Sequence, residues 1–134
     1  MKLEHNWKYK SLLNLEKISD HSIPEDTSRL VRRCNELLRF PLNEFTIEDL
    51  RLMIGQQFSL VYLIPLAIEK LNDDLFAEGD FYPGDLLAIV LKIDPIFWKE
   101  NQEIWIGLNK LISNRKDEIE AEGISTKMFN DSQS

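Results

Sequence analysis

The stretch Phe45-Thr-Ile-Glu-Asp-Leu-Arg-Leu-Met-Ile-Gly-Gln-Gln57 decides the fold class. Thr46 is placed to cap the free amide of Asp49, and the Asp49 carboxylate to reach back, as in a capping box. Phe45 before the cap and Leu50 at the fourth helical position match a hydrophobic staple. Leu50, Met53 and Ile54 continue one apolar face as far as Gly55-Gln56-Gln57, so a helix begins here with a defined start and stop.

The same spacing extends in both directions. Upstream, residues 11–17 predict a short helix capped by Ser11. A second helix runs from about Glu25 to Leu38, with Leu30, Val31, Cys34, Leu37 and Leu38 on one face, and Pro41 ends it. Downstream, a fourth helix runs from about Ser59 to Asn72. Pro65 falls inside it, so either the helix starts late or it is kinked there. Pro83 suits the first residue of a fifth helix, with Asp85 in its first turn favoured by the helix dipole. Leu86 to Ile93 is apolar almost all round, which marks that helix as central. Asp94-Pro95 opens a long sixth helix, whose stripe passes through Phe97, Trp98, Trp105, Leu108, Leu111 and Ile112 before Gly123 stops it.

No stretch alternates as a strand should. The expected architecture is all-α, a single compact domain of about six helices with a long C-terminal helix. Residues 1–124 form the helical domain and residues 125–134 an unstructured tail. Core packing is the expected role of Trp98 and Trp105, seven residues apart, and carbonyl capping or bridging to a neighbouring backbone that of Gln56 and Gln57.

Length and composition agree with one domain: 134 residues, 43% hydrophobic, 29% charged. The net charge is -7, unevenly spread. Residues 1–40 carry 8 basic against 6 acidic side chains, and residues 41–134 carry 8 against 17. Phosphate recognition needs a basic face. The only candidate, Arg29, Arg32, Arg33 and Arg39, reads better as a solvated helix face or a source of internal ion pairs. A single cysteine excludes a disulfide framework. The N-terminus has no apolar signal region, and the longest apolar run, Leu60 to Ile68, is too short to cross a bilayer. A cytoplasmic protein without nucleic-acid or membrane partners is expected.

No catalytic constellation stands out, and the chain is read as a non-enzyme without cofactor or metal. His5 and His21 are the only histidines, and Cys34 lies on an apolar helix face where a thiol is inert. Asp73, Asp74, Glu78 and Asp80 lack the spacing of an EF-hand loop, and Gly79 and Gly84 form no phosphate loop. What remains is an acidic and aromatic surface. No basic residue occurs between Lys70 and Lys92, while Asp73, Asp74, Glu78, Asp80 and Asp85 alternate with Phe76, Phe81 and Tyr82. Such a surface repels nucleic acid and suits a basic protein, whose approach it accelerates.

Three blocks, in order, resemble the helical immunity proteins of contact-dependent growth inhibition systems. They are Leu30-Val-Arg-Arg-Cys-Asn-Glu-Leu37, Pro41-Leu-Asn-Glu-Phe-Thr-Ile-Glu-Asp-Leu-Arg-Leu-Met-Ile-Gly-Gln-Gln57 and Ala77-Glu-Gly-Asp-Phe-Tyr-Pro-Gly-Asp-Leu-Leu87. Lys10-Ser-Leu-Leu-Asn-Leu-Glu16 and Phe97-Trp98 also fit, so the resemblance covers about residues 10–105. It implies a non-enzymatic inhibitor that binds the toxic C-terminal domain delivered by a neighbouring bacterium. The acidic balance favours a basic toxin, for example a nuclease. Asp73, Asp74, Asp117 and Glu118 lie outside the shared blocks and are the stronger candidates for toxin contact. Glu78, Asp80 and Tyr82 lie inside one and are candidates too. Two other classes share these features: a helical adaptor for a host protein, and a metal-dependent hydrolase using the acidic cluster.

Overall fold

A computed structural model describes residues 5–16 and 28–133. The capping box forms as read. Asp49 N donates to Thr46 Oγ1 at 3.1 Å, and Thr46 N donates to Asp49 Oδ2 at 3.0 Å. Helix α3, Ile47–Gly55, starts from it. Its upstream neighbours are α1, Leu12–Glu16, and α2, Arg29–Leu37. Ser11 Oγ accepts from Asn14 N at 3.2 Å and Ser28 Oγ from Val31 N at 3.3 Å. The start of α2 expected at Glu25, the end of the first helix at Lys17 and His21 fall outside the described residues.

Asp49 does more than cap. It is 4% exposed, and its second oxygen accepts from Arg33 Nη2 at 3.1 Å, which ties α2 to α3. Arg33 also pairs with Glu36, and Arg39 Nη1 donates to the Asn35 carbonyl. Arg33 and Arg39 of the arginine face are therefore engaged within the molecule. Replacing Thr46 with alanine leaves the Asp49 amide without its acceptor. We expect a loss of about 1 kcal/mol, read as a lower urea midpoint at unchanged slope.

Helix α4, Leu60–Asp73, runs through Pro65, so the late-start alternative does not hold. The turn before it uses left-handed backbone at Gln57 (φ 59°) and Ser59 (φ 49°). Gln57 Oε1 accepts from Asp94 N at 3.3 Å, the backbone bridge expected of a glutamine at this helix end. Helix α5, Asp85–Val90, begins two residues later than Pro83, because Gly84 in left-handed conformation (φ 90°) turns the chain first. Helix α3 packs across α4 and α5, and Leu50, Ile54, Leu63, Leu71, Leu86 and Leu87 are fully buried there.

The long sixth helix is three helices: α6, Pro95–Glu100, α7, Gln102–Ser113, and α8, Lys116–Ala121. Asp94 Oδ1 caps Ile96 N and Pro95 takes the first position, as read. Asn101 then interrupts at φ -134°, ψ 60°. Its side chain donates to the Phe97 carbonyl at 2.8 Å, and its own carbonyl accepts from Ile104 N and Trp105 N. An asparagine that bonds the backbone locally competes with helix continuation. Arg115, at φ -127°, makes the second break.

The expected tail is also ordered. Residues Lys127–Asp131 form α9, and Phe129 has no exposed surface. Its ring stacks on Trp105 (centroids 5.1 Å, 16°) and meets Trp98 edge-on (5.0 Å, 88°). Trp105 Nε1 donates to the Phe129 carbonyl at 3.0 Å. The two tryptophans are core residues, and their partner comes from the C-terminus. Among the described residues no strand forms, and one isolated bridge joins Glu78 to Pro83.

Candidate partner-binding face

The segment between α4 and α5 is held from below by three side chains. Asp85 is 2% exposed and accepts from Gly79 N at 2.7 Å and Phe81 N at 3.1 Å. Glu48 Oε1 accepts from Asp80 N at 2.8 Å. Arg51, one turn along α3, donates from Nε and Nη2 to the two Glu48 oxygens at 2.7 and 2.5 Å and lies 3.9 Å from Asp85. Phe81 covers the Arg51 guanidinium at 4.3 Å. The hydrogen bonds from Arg51 hold the Glu48 carboxyl below its ordinary range.

This corrects part of the sequence reading. Asp85 is no free surface charge and does more than complement a helix dipole; it ties down a turn. Gly79 permits the close approach, since a Cβ there would lie 2.5 Å from Glu48 Oε1 and would displace that carboxylate. Sequence reasoning missed Glu48 and Arg51 as its anchors. Their spacing of three within the α3 pattern was the visible signal.

What the turn displays is exposed: Glu78, Asp80 and Tyr82, together with Phe81, which is 67% exposed despite its contact with Arg51. Asp73 and Asp74 are exposed at the end of α4, and Asp117 and Glu118 on α8. Arg115 connects the last two groups. It donates to Glu118 Oε2, lies over the Phe76 ring at 5.4 Å and is also influenced by Asp74. A Cβ on Gly84 would lie 2.8 Å from Ile124 Cδ1 and 3.2 Å from Phe76 Cδ1, so the turn after α8 rests directly on the acidic loop. Residues about forty positions apart in sequence thus share one face. Asp80 stands near Arg51, its amide bonded to Glu48, and neither Glu78 nor Asp80 shares a hydrogen-bond partner with α8 among the described residues.

A groove of about 360 Å³ lies along this junction, lined by Tyr82, Ala88, Lys92 and residues 122–125. Elsewhere, Cys34 is buried, and desolvation pushes its thiol upward; a raised thiol is a poor nucleophile. Among the described residues no group of three or more His, Cys, Asp or Glu is placed to hold a metal ion. No helix of the described residues is long and apolar enough to cross a membrane.

A family model for CDI (contact-dependent growth inhibition) immunity proteins matches residues 14–108. No curated protein and no solved structure shows significant similarity to the chain.

Proposed function

The chain belongs to the CDI immunity proteins, and we propose on that premise that it neutralises one toxin domain by binding it in the cytoplasm, without catalysis. The observation that carries the reading is the family match, which spans α2 to α6 and includes the whole anchored acidic loop. The toxin contacts we assign are Asp73, Asp74, Glu78, Asp80 and Tyr82 on the loop, with Asp117 and Glu118 on α8. All seven are exposed. Carboxylates around an aromatic side chain fit a basic partner, and the charge of residues 41–134 strengthens the long-range attraction. A toxin that acts on nucleic acid carries such a basic face for its own substrate. Covering that face blocks the substrate without any chemistry by the inhibitor.

The direct test is co-expression of this chain, affinity-tagged, with the toxin C-terminal domain encoded beside it. Co-elution with nanomolar affinity, together with restored growth, is the expected result. Absence of binding at micromolar concentrations rules the reading out.

The charges make a kinetic prediction. Reversing Asp73 and Asp74 together to lysine lowers the association rate by about tenfold at low salt, and the difference shrinks as salt screens it. Stopped-flow association at two ionic strengths checks this. Equal rates at low salt would remove these two residues from the interface.

A further inference from the structure

The family match ends at residue 108, within α7. The groove at the junction is built from both sides of that boundary. Tyr82, Ala88 and Lys92 come from the matched region, and Glu122, Gly123, Ile124 and Ser125 from beyond it. Features common to a family cannot by themselves separate one member's partner from another's. Discrimination is a difference of affinities and needs groups peculiar to the chain. At this groove a wall from the matched region and a wall from outside it meet in one concavity.

The chemistry of the walls identifies what fits between them. Tyr82 presents a half-exposed ring, and ring faces attract cations. Glu122 is exposed and has no salt bridge among the described residues. A carboxylate with a free acceptor edge forms strong bonds to an ammonium or guanidinium. Lys92 also lines the groove and opposes a second cation there, so its charge is a sign-sensitive probe of the occupant. Resting on the immunity reading above, we infer that this groove is where the chain discriminates its own toxin domain, by accepting a lysine or arginine side chain between Tyr82 and Glu122.

The test uses the full chain and the toxin domain of the same locus, with affinities from titration calorimetry. Glu122→Lys and Tyr82→Ala each weaken binding by about tenfold or more, the loss expected of a central anchor. Lys92→Ala binds as tightly as the wild type or more tightly. Glu103→Lys, the same charge change on α7 away from the groove, stays within about twofold, as screened surface charges do. Thermal melts of all four variants, unchanged from wild type, confirm that folding is intact. If Glu122→Lys and Tyr82→Ala bind like wild type, the groove is not the recognition site. Weakened binding by Lys92→Ala with tighter binding by Glu122→Lys overturns the cationic occupant. A wild-type chain that binds no toxin fails at the earlier step and takes the immunity reading with it.

Discussion

Replacing Phe129 with alanine lowers the unfolding free energy by about 3–5 kcal/mol, the cost of removing a large aromatic from a packed core. Phe129 is the only aromatic side chain of the last ten residues, and it fills the space between Trp98 and Trp105 with no exposed surface. Its loss removes the ring stacked on Trp105 and the edge-on neighbour of Trp98, and leaves α9, five residues long, with little to hold it. The Trp105 Nε1 bond to the Phe129 carbonyl and the Ser132 hydroxyl bond to the same oxygen depend on α9 remaining in place. The urea midpoint therefore falls at nearly constant slope, and tryptophan emission moves to the red as both rings meet water. Phe129→Leu keeps most of the apolar volume and recovers part of the loss. An unfolding free energy for the alanine variant within about 0.5 kcal/mol of wild type, the range of ordinary surface changes, would show that Phe129 contributes nothing to the core.

The same residue shows where reading the sequence reaches its limit. Local signals survived folding: the Thr46 capping box, the Ser11 cap, and the Asp94-Pro95 helix start each depend on residues within four positions of one another. The all-α class followed from such signals and from apolar spacing. The tail was misread because a five-residue segment with one phenylalanine has no periodicity to detect. Its order comes from a slot made by Trp98 and Trp105, and the stripe said only that those rings face inward. The break at Asn101 was hidden for a related reason. Phe97, Trp98, Trp105 and Leu108 keep a helix-like spacing across it, and the non-helical backbone of Asn101, with its side chain bonded to the Phe97 carbonyl, separates α6 from α7.

The candidate face was legible in part. Exposure of Asp73, Asp74, Glu78, Asp80, Tyr82, Asp117 and Glu118 followed from polarity and position. The burial of Asp85 did not, because it depends on a turn that folds the amides of Gly79 and Phe81 back onto its carboxylate. Nor could the sequence place Glu122 beside Tyr82, since that neighbourhood is set by the packing of Ile124 against Phe76 and Gly84. Short-range chemistry was readable, whereas the meeting of two distant surface segments required the fold.

Arg51→Ala is expected to cost about 2–4 kcal/mol, somewhat less than the loss from breaking a fully buried ion pair because a little solvent reaches the site. The Arg51, Glu48 and Asp85 side chains are 13%, 17% and 3% exposed. Without the guanidinium, two carboxylates face each other beneath the loop with no cation between them, and Phe81 loses the group it covers. Arg51→Lys retains the charge but not the two-pronged geometry or the planar face, so it recovers only part of the stability. The pH dependence identifies the cause. Arg51 holds the Glu48 carboxyl below its ordinary value of 4.5. Stability from that interaction is complete above the ordinary value and disappears as pH falls through the lower, folded-state value. The gap between wild type and Arg51→Ala should therefore be full at neutral pH and should narrow progressively below about pH 4.5, where protonation removes the charge that Arg51 would have met. Urea midpoints at pH 7 and pH 3 measure it directly. A gap of equal size at both values would mean that Arg51 acts by packing against Phe81 and not by neutralising Glu48 and Asp85. Because the same three side chains hold Gly79, Asp80 and Phe81 in place, the variant also loosens the loop that presents Tyr82. Its toxin affinity should then fall even at a protein concentration and temperature where the rest of the chain stays folded.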